Sequence, residues 1–258
     1  MARRRSTKGP WFWRGTIAAM LSGVFGLFAL VAFSQPPATE AMTSCRLDRK
    51  DPAHTILLID QSDPFNPNDM DWVRELVNEE ARSLPKYGKL TVMVPNATDP
   101  YSPKVLYTSC SPGSAAAANP ITQNPKMIEQ SWQKKFYQPL EGAVEGALLD
   151  KEQPSSPLSE AIYSISDRPD FQPQQAGRRM VLVSDLMQHS DGFSFYRKGA
   201  DYEAYLDSKL AETTPKLEGV NVVARIVPRQ IYDLPMADVK GFWRHYFHDA
   251  GATYGSVN

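Results

Sequence analysis

Cysteine and histidine are scarce in this chain, with two and four copies among 258 residues. A zinc module is excluded, because His54, His189, His245 and His248 show no zinc-type spacing around Cys45 or Cys110. Glycine-rich phosphate loops are missing too. No Gly-x-Gly-x-x-Gly follows a strand-like run and no Walker A loop occurs, so nucleotide binding has no support. No serine or cysteine sits in a nucleophile elbow. Beyond residue 40 no stripe of Lys and Arg appears, which argues against nucleic acid as a partner, since phosphate contacts call for clustered positive charge.

What is present begins with an address. Arg3, Arg4, Arg5, Lys8 and Arg14 precede Thr16 to Phe33, an uncharged stretch about long enough to span a bilayer. Positive charge stays cytoplasmic, so residues 1–15 are expected inside, 16–34 as a single-pass signal anchor, and the rest outside. Trp11 and Trp13 fall at the headgroup level. The competing reading is a cleaved signal peptide with Ala32 and Ser34 before Gln35, but the apolar run is long for one. The expected location is the inner (cytoplasmic) membrane with the domain outside, periplasmic in a Gram-negative cell. Setting the five basic residues aside leaves 23 basic against 29 acidic, so the exported part carries a net charge of −6. Cys45 and Cys110 both fall on that oxidising side, where a disulfide is expected over two unrelated thiols.

The remaining composition, 42% hydrophobic and 22% charged, suits one ordinary globular core. Residues 35–53 read as a polar, proline-bearing linker, and 54–258 as the folded domain. Within it, short β-branched runs predict strands at 55–60, 89–94, 104–109, 179–184 and 220–227. Helical spacing predicts helices at 68–84, 125–149, 157–166, 201–213 and 236–250. In the first of these Trp72, Leu76 and Val77 are expected to face inward. Phe242, Trp243, Tyr246 and Phe247 form a stripe on the last helix, read as core-facing ahead of a partner-helix surface. Residues 111–125 are low in complexity and read as a surface loop. Alternating strands and helices imply an α/β, doubly wound, mostly parallel sheet with helices on both faces.

Two of the strands end on aspartate: Thr55-Ile-Leu-Leu-Ile-Asp60 and Met180-Val-Leu-Val-Ser-Asp185. In an open parallel sheet the strand carboxyl ends form the ligand crevice, so these two carboxylates are expected to share one site. An aspartate at a strand end also serves as a helix cap, and Ser62, Asp63 and Ser156 are equally good cap residues. The Asp60-Gln61-Ser62 run, the later Ser156-Pro157-Leu158 opening a helix, and the strand ending in Asp185 together resemble a von Willebrand factor A domain over about residues 54–250. The resemblance implies a doubly wound fold and a metal-ion-dependent adhesion site, with Asp60, Ser62, Ser156 and Asp185 around Mg2+ or Mn2+. Such hard ions take oxygen ligands and keep several waters. Pro64 stands where the family has its second serine, which removes one oxygen ligand.

The expected function is an extracytoplasmic interaction module that recognises a protein partner, another envelope or membrane protein, either through the bound ion or, with the site empty, through the loops 62–68 and 186–200 of the same face. Asp63, Phe65, His189 and Phe193 are the expected contact residues there. Two other functions compete. One is a membrane-anchored hydrolase using a metal-bound water near Asp60, Asp185 and His189. The other is a structural subunit of an envelope complex, packing through Gly23 and Gly26, whose spacing is one residue short of Gly-x-x-x-Gly.

Overall fold

The strand β1 (His54–Ile59) is buried at every residue, as a run of six residues without alternation requires when both sheet faces are covered. Its pleat divides the core. Ile56 and Leu58 point into one cluster while Leu57 and Ile59 point into another. β4 (Arg178–Ser184) does the same, with Met180 and Leu182 on the first side and Val181 and Val183 on the second.

The computed structural model describes residues 9–33, 36–50, 52–119, 123–149, 153–173, 177–227 and 234–257. The chain divides into two units, 1–38 and 39–258. The first holds α1 (Pro10–Phe33), in which Trp11–Ala29 has a mean hydropathy of 1.3 and no part buried by protein. By length and composition α1 can cross a membrane.

In the second unit β2 (Lys89–Val94), β3 (Lys104–Cys110), β5 (Asn221–Ile226) and β6 (Thr253–Val257) complete a six-stranded sheet of order β3-β2-β1-β4-β5-β6. Every pairing is parallel except β2 with β3. On one face lie α2 (Pro67–Ser83), α3 (Pro125–Trp132) and α4 (Gln138–Leu149). The other carries α5 (Leu158–Ser166), the short α6 (Phe195–Lys198) and α7 (Tyr202–Leu206), and α8 (Met236–Asp249). The expected doubly wound α/β class is the observed one. Strand order reverses between β1 and β4, the place where such sheets open a crevice at their carboxyl edge.

Four local differences from the sequence reading have physical causes. Val73 takes the inward position on α2 with Leu76 and Val77, and Trp72 packs only partly. The helix expected over 201–213 breaks after α7, where the Ser208 hydroxyl donates back to the Tyr205 carbonyl at 2.6 Å and competes with the helical ladder. The 125–149 helix carries a π turn at Gln133–Tyr137, just before Pro139, which has no N–H to give. β6 was not anticipated because it is an edge strand, Thr-Tyr-Gly-Ser-Val, with no buried residue.

The segment read as a linker is partly docked. Thr39 bridges Arg46, the Cys110 N–H donates to the Thr43 carbonyl at 2.7 Å, and the Ser109 hydroxyl donates to the same oxygen at 2.8 Å. The Cys45–Cys110 disulfide closes a separation of 65 residues over the end of edge strand β3, which blunts that edge against adventitious pairing. A loop of this length removes on the order of 4 kcal/mol of unfolded-state entropy. Replacing both cysteines by serine is therefore expected to lower unfolding free energy by about 2–4 kcal/mol in denaturant titrations. A loss under about 0.5 kcal/mol would show that the bridge does not restrain the unfolded chain.

At the amino edge His54 is fully buried, with Nδ1 at 2.7 Å from the Asp170 carbonyl and Nε2 at 2.9 Å from the Thr91 hydroxyl. Burial holds its pKa down, to about 4 from 6.5. The unfolded chain takes up this proton first. The stability contribution is thus complete above about pH 6.5 and lost as pH falls through about 4, roughly 3 kcal/mol in all. Unfolding free energies measured from pH 7 to 4.5 should fall less steeply for His54→Gln than for the wild type; parallel curves would remove His54 as the cause.

Candidate functional site

Asp60 leaves β1 and Asp185 leaves β4, neighbouring strands at the reversal point, so the topology brings them to the same edge. Asp60 is 4% exposed, and three segments of chain supply its hydrogen bonds. Its Oδ2 accepts from the Ser156 hydroxyl at 2.7 Å and the Ser184 hydroxyl at 2.8 Å, and its Oδ1 accepts from the Ser62 N–H at 3.0 Å. Burial pushes the Asp60 carboxyl above the usual carboxylate range, against the pull of those donors.

Asp60 caps no helix. The N-cap of α2 is Asn66, in a reciprocal capping box with Asp69 and followed by Pro67. Ser156, two residues before α5, likewise spends its hydroxyl on Asp60. Its backbone is fixed by an antiparallel bridge, Ser156 N–H to the His189 carbonyl at 2.8 Å and His189 N–H to the Ser156 carbonyl at 2.9 Å.

Asp185 is also 4% exposed, and its Oδ1 accepts from the Met187 N–H at 3.0 Å. Between them Leu186 has φ +66°, a left-handed conformation that costs a leucine on the order of 1 kcal/mol. It is held there from both sides. Its N–H donates to the Ser184 Oγ at 2.8 Å, and its carbonyl accepts from the Trp243 indole N–H of α8 at 2.8 Å.

Asp60, Ser62, Asp63, Phe65, Ser184 and Asp185 line a depression of about 10 Å³, room for a single water-sized occupant. Ser184 was missed in the sequence because its place depends on register. Ile59 pairs with Val183, which puts Ser184 beside Asp60. Two carboxylates and serine hydroxyls form a hard oxygen donor set, and a hydroxyl that donates its proton to Asp60 keeps lone-pair capacity for a cation, less on Ser184, which also accepts from the Leu186 N–H. The residues present thus fit a small divalent ion. Among the described residues no group of three or more His, Cys, Asp or Glu side chains could hold a metal ion.

Two expected contact residues are corrected. Phe193 is 3% exposed and stacks on Phe242 with ring centroids 6.0 Å apart, and Phe65 is 7% exposed within the α2-side core. Both rings are held by apolar packing, Phe65 with its remaining surface on the depression beside Asp60. The 186–195 loop is largely internal, because the Gln188 amide group ties it to Ser159, Glu160 and Ser190. Asp63 and His189 are half-buried and do line surface depressions, while Pro64 is exposed. His189 Nδ1 meets the Ser194 hydroxyl at 2.9 Å.

No family model matches the sequence, and no curated protein matches it. Several solved structures have a similar chain course. The conserved hypothetical protein BatB from Bacteroides thetaiotaomicron is 14% identical with a TM-score of 0.42, over 80% of this chain and 90% of that one. An aerotolerance-related membrane protein from Bacteroides fragilis is 14% identical with a TM-score of 0.37, over 80% and 92%. The pilus adhesin SpaC from Lactobacillus rhamnosus GG is 9% identical with a TM-score of 0.44, over 87% and 29%. Each is a distant likeness.

Ser184→Ala removes a donor to Asp60 and the acceptor for the strained Leu186 N–H at once. The expected loss is about 1–3 kcal/mol in denaturant unfolding, against about 1 kcal/mol or less for a serine whose hydroxyl faces solvent. An unchanged unfolding free energy would show that Asp60 does not depend on this hydroxyl.

Proposed function

We propose that this chain is a membrane-anchored interaction module of the von Willebrand factor A type, which captures a carboxylate of a protein partner through a divalent cation held at the sheet's carboxyl edge. One observation carries the reading: Asp60 and Asp185, remote in sequence, line one atom-sized depression with serine hydroxyls at the reversal point of the sheet. Asp60, Ser62, Ser156, Ser184 and Asp185 would hold the ion, Mg2+ or Mn2+. When bound, it supplies a Lewis-acidic position that an Asp or Glu of the partner completes. Pro64 leaves the site one oxygen poorer than the family pattern, so more water stays on the ion.

The compartment follows the same reading. An apolar helix preceded by basic residues suits an inner-membrane anchor with its amino terminus inside. The Cys45–Cys110 disulfide suits an oxidising, extracytoplasmic location for the domain. The partner is then another envelope or membrane protein. A hydrolase has less support, since no serine or cysteine sits in a nucleophile elbow.

The test is thermal melting of the full chain in detergent, with EDTA and then with millimolar Mg2+ or Mn2+, beside Asp60→Asn and Asp185→Asn. A ligand of the native state at a hundred times its dissociation constant adds about 2.7 kcal/mol, a rise of several degrees. The wild type is expected to rise and both variants to stay. Because burial raises the Asp60 carboxyl, protons compete with the ion, and the rise should shrink as pH is lowered. No rise in the wild type, or an equal rise in all three, overturns the ion-bridged mechanism.

A further inference from the structure

Among the described residues two glutamates of the unit 39–258 are buried, and the fold treats them differently. Glu80 on α2 is 3% exposed and receives the fork of Arg179, at 2.8 and 2.9 Å. Glu160, in the first turn of α5, is 2% exposed. Its Oε2 accepts from the Ser159 hydroxyl and the Gln188 amide, each at 3.0 Å, and among the described residues no Lys, Arg or His pairs with it. Both donors are neutral and meet the same oxygen, so this carboxylate is hydrogen-bonded but has no partner of opposite charge.

Glu160 lines a cavity of about 460 Å³ under the 189–192 turn. Asp191 adds a second carboxylate to its wall, and no Lys or Arg appears there. The nearest fixed cation on that turn, Arg197, donates to the Ser190 and Asp191 carbonyl oxygens at 2.6 and 3.3 Å and pairs with neither carboxylate. The rest of the wall mixes the polar Ser155, Ser190 and His189 with carbon from Pro100, Leu210 and the ring of Tyr101, which rests edge-on against Tyr163 at 6.1 Å.

We propose that this cavity is a binding site for a cationic side chain, the lysine or arginine of a partner segment, with Glu160 as its counter-ion. The aliphatic stem lies along Pro100 and Leu210, and the Tyr101 ring offers its face to the charge. The cavity volume suits one long side chain with some water, and the net acidity of the exported unit draws such a partner in.

A second depression, of about 240 Å³, shares Pro154, Ser155 and His189 with this cavity and Ser62 and Asp63 with the cation site. The three are neighbours along the carboxyl edge. A partner segment bearing an acidic residue and, a few positions away, a basic one would occupy both ends. That pairing rests on the ion-bridged reading above; the cationic preference of the Glu160 cavity does not.

The probes are two blocked tripeptides, acetyl-Gly-Lys-Gly-amide and the same peptide with N-ε-acetyl-lysine, titrated calorimetrically into the full chain in nanodiscs with EDTA present. Neither peptide has a carboxylate and EDTA removes divalent ions, so failure of the ion-bridged mechanism leaves this outcome untouched. The lysine peptide is expected to bind saturably, and the acetylated one at least about tenfold more weakly, since acetylation removes the charge. Glu160→Gln keeps the shape and should lose the preference. Tyr101→Ala, at an exposed position that leaves the core intact, should weaken lysine binding several-fold. Equal affinity for the two peptides, or full lysine binding by Glu160→Gln, overturns the proposal. An arginine counterpart binding as well as lysine supports it, because both carry the charge that Glu160 lacks.

Discussion

The carboxyl edge of this sheet is organised around the buried carboxylate of Asp60. A carboxylate removed from water costs several kcal/mol unless hydrogen bonds return what hydration gave. Here the returns come from the Ser62 N–H just after β1, the Ser184 hydroxyl at the end of β4, and the Ser156 hydroxyl before α5. Each donor pins a different segment, so one side chain sets the spacing of two strands and the approach to a helix. Ser156 passes the constraint on through its bridge to His189, which fixes the turn roofing the Glu160 cavity. The depression beside Asp60 and the neighbouring cavity are therefore shaped by the same polar web.

The two edges of the sheet manage charge in opposite ways. At the amino edge the positive groups find internal partners: Lys89 meets Asp170 at 2.7 Å, Arg179 takes Glu80, and Arg178 donates to the Phe171 and Glu218 carbonyls. His54 is neutral there and held between a carbonyl and a hydroxyl. Charges closed off in this way serve the fold. At the carboxyl edge Asp60, Asp185 and Glu160 line depressions with no Lys or Arg in their walls. Strand direction separates the two roles, because only the carboxyl ends open onto the crevice at the reversal point.

How much of this was legible in the sequence depends on what each feature needs. β1, β2, β4 and β5 were readable since strands covered on both faces must be continuous apolar runs, and the pairing of Asp60 with Asp185 followed from where such strands end. Ser184 was hidden, because only the observed register with β1 sets it beside Asp60. Phe65 and Phe193 were read as contact residues from their loop positions, but an aromatic ring in a turn is held by whatever core lies beneath it. Glu160 gives no signal in the sequence, since the helix dipole alone accounts for an acidic residue in a first helical turn. Its significance is an absence of countercharge, and only the three-dimensional surroundings show that.

The aromatic stripe of α8 shows how core and site are joined. Spacing alone marks Phe242, Trp243, Tyr246 and Phe247 as inward-facing, and they are. Yet Trp243 also gives its indole N–H to the Leu186 carbonyl, and Tyr246 gives its hydroxyl to the Ser159 carbonyl at 3.2 Å. One bond holds the left-handed turn that follows Asp185, and the other holds the start of α5 next to Glu160. A strained backbone persists only where its surroundings over-determine it, and here a rigid wall of rings supplies that determination. The hydrophobic core thus fixes the buried carboxylates in place, because the rings that hold these two backbone carbonyls are themselves held by packing.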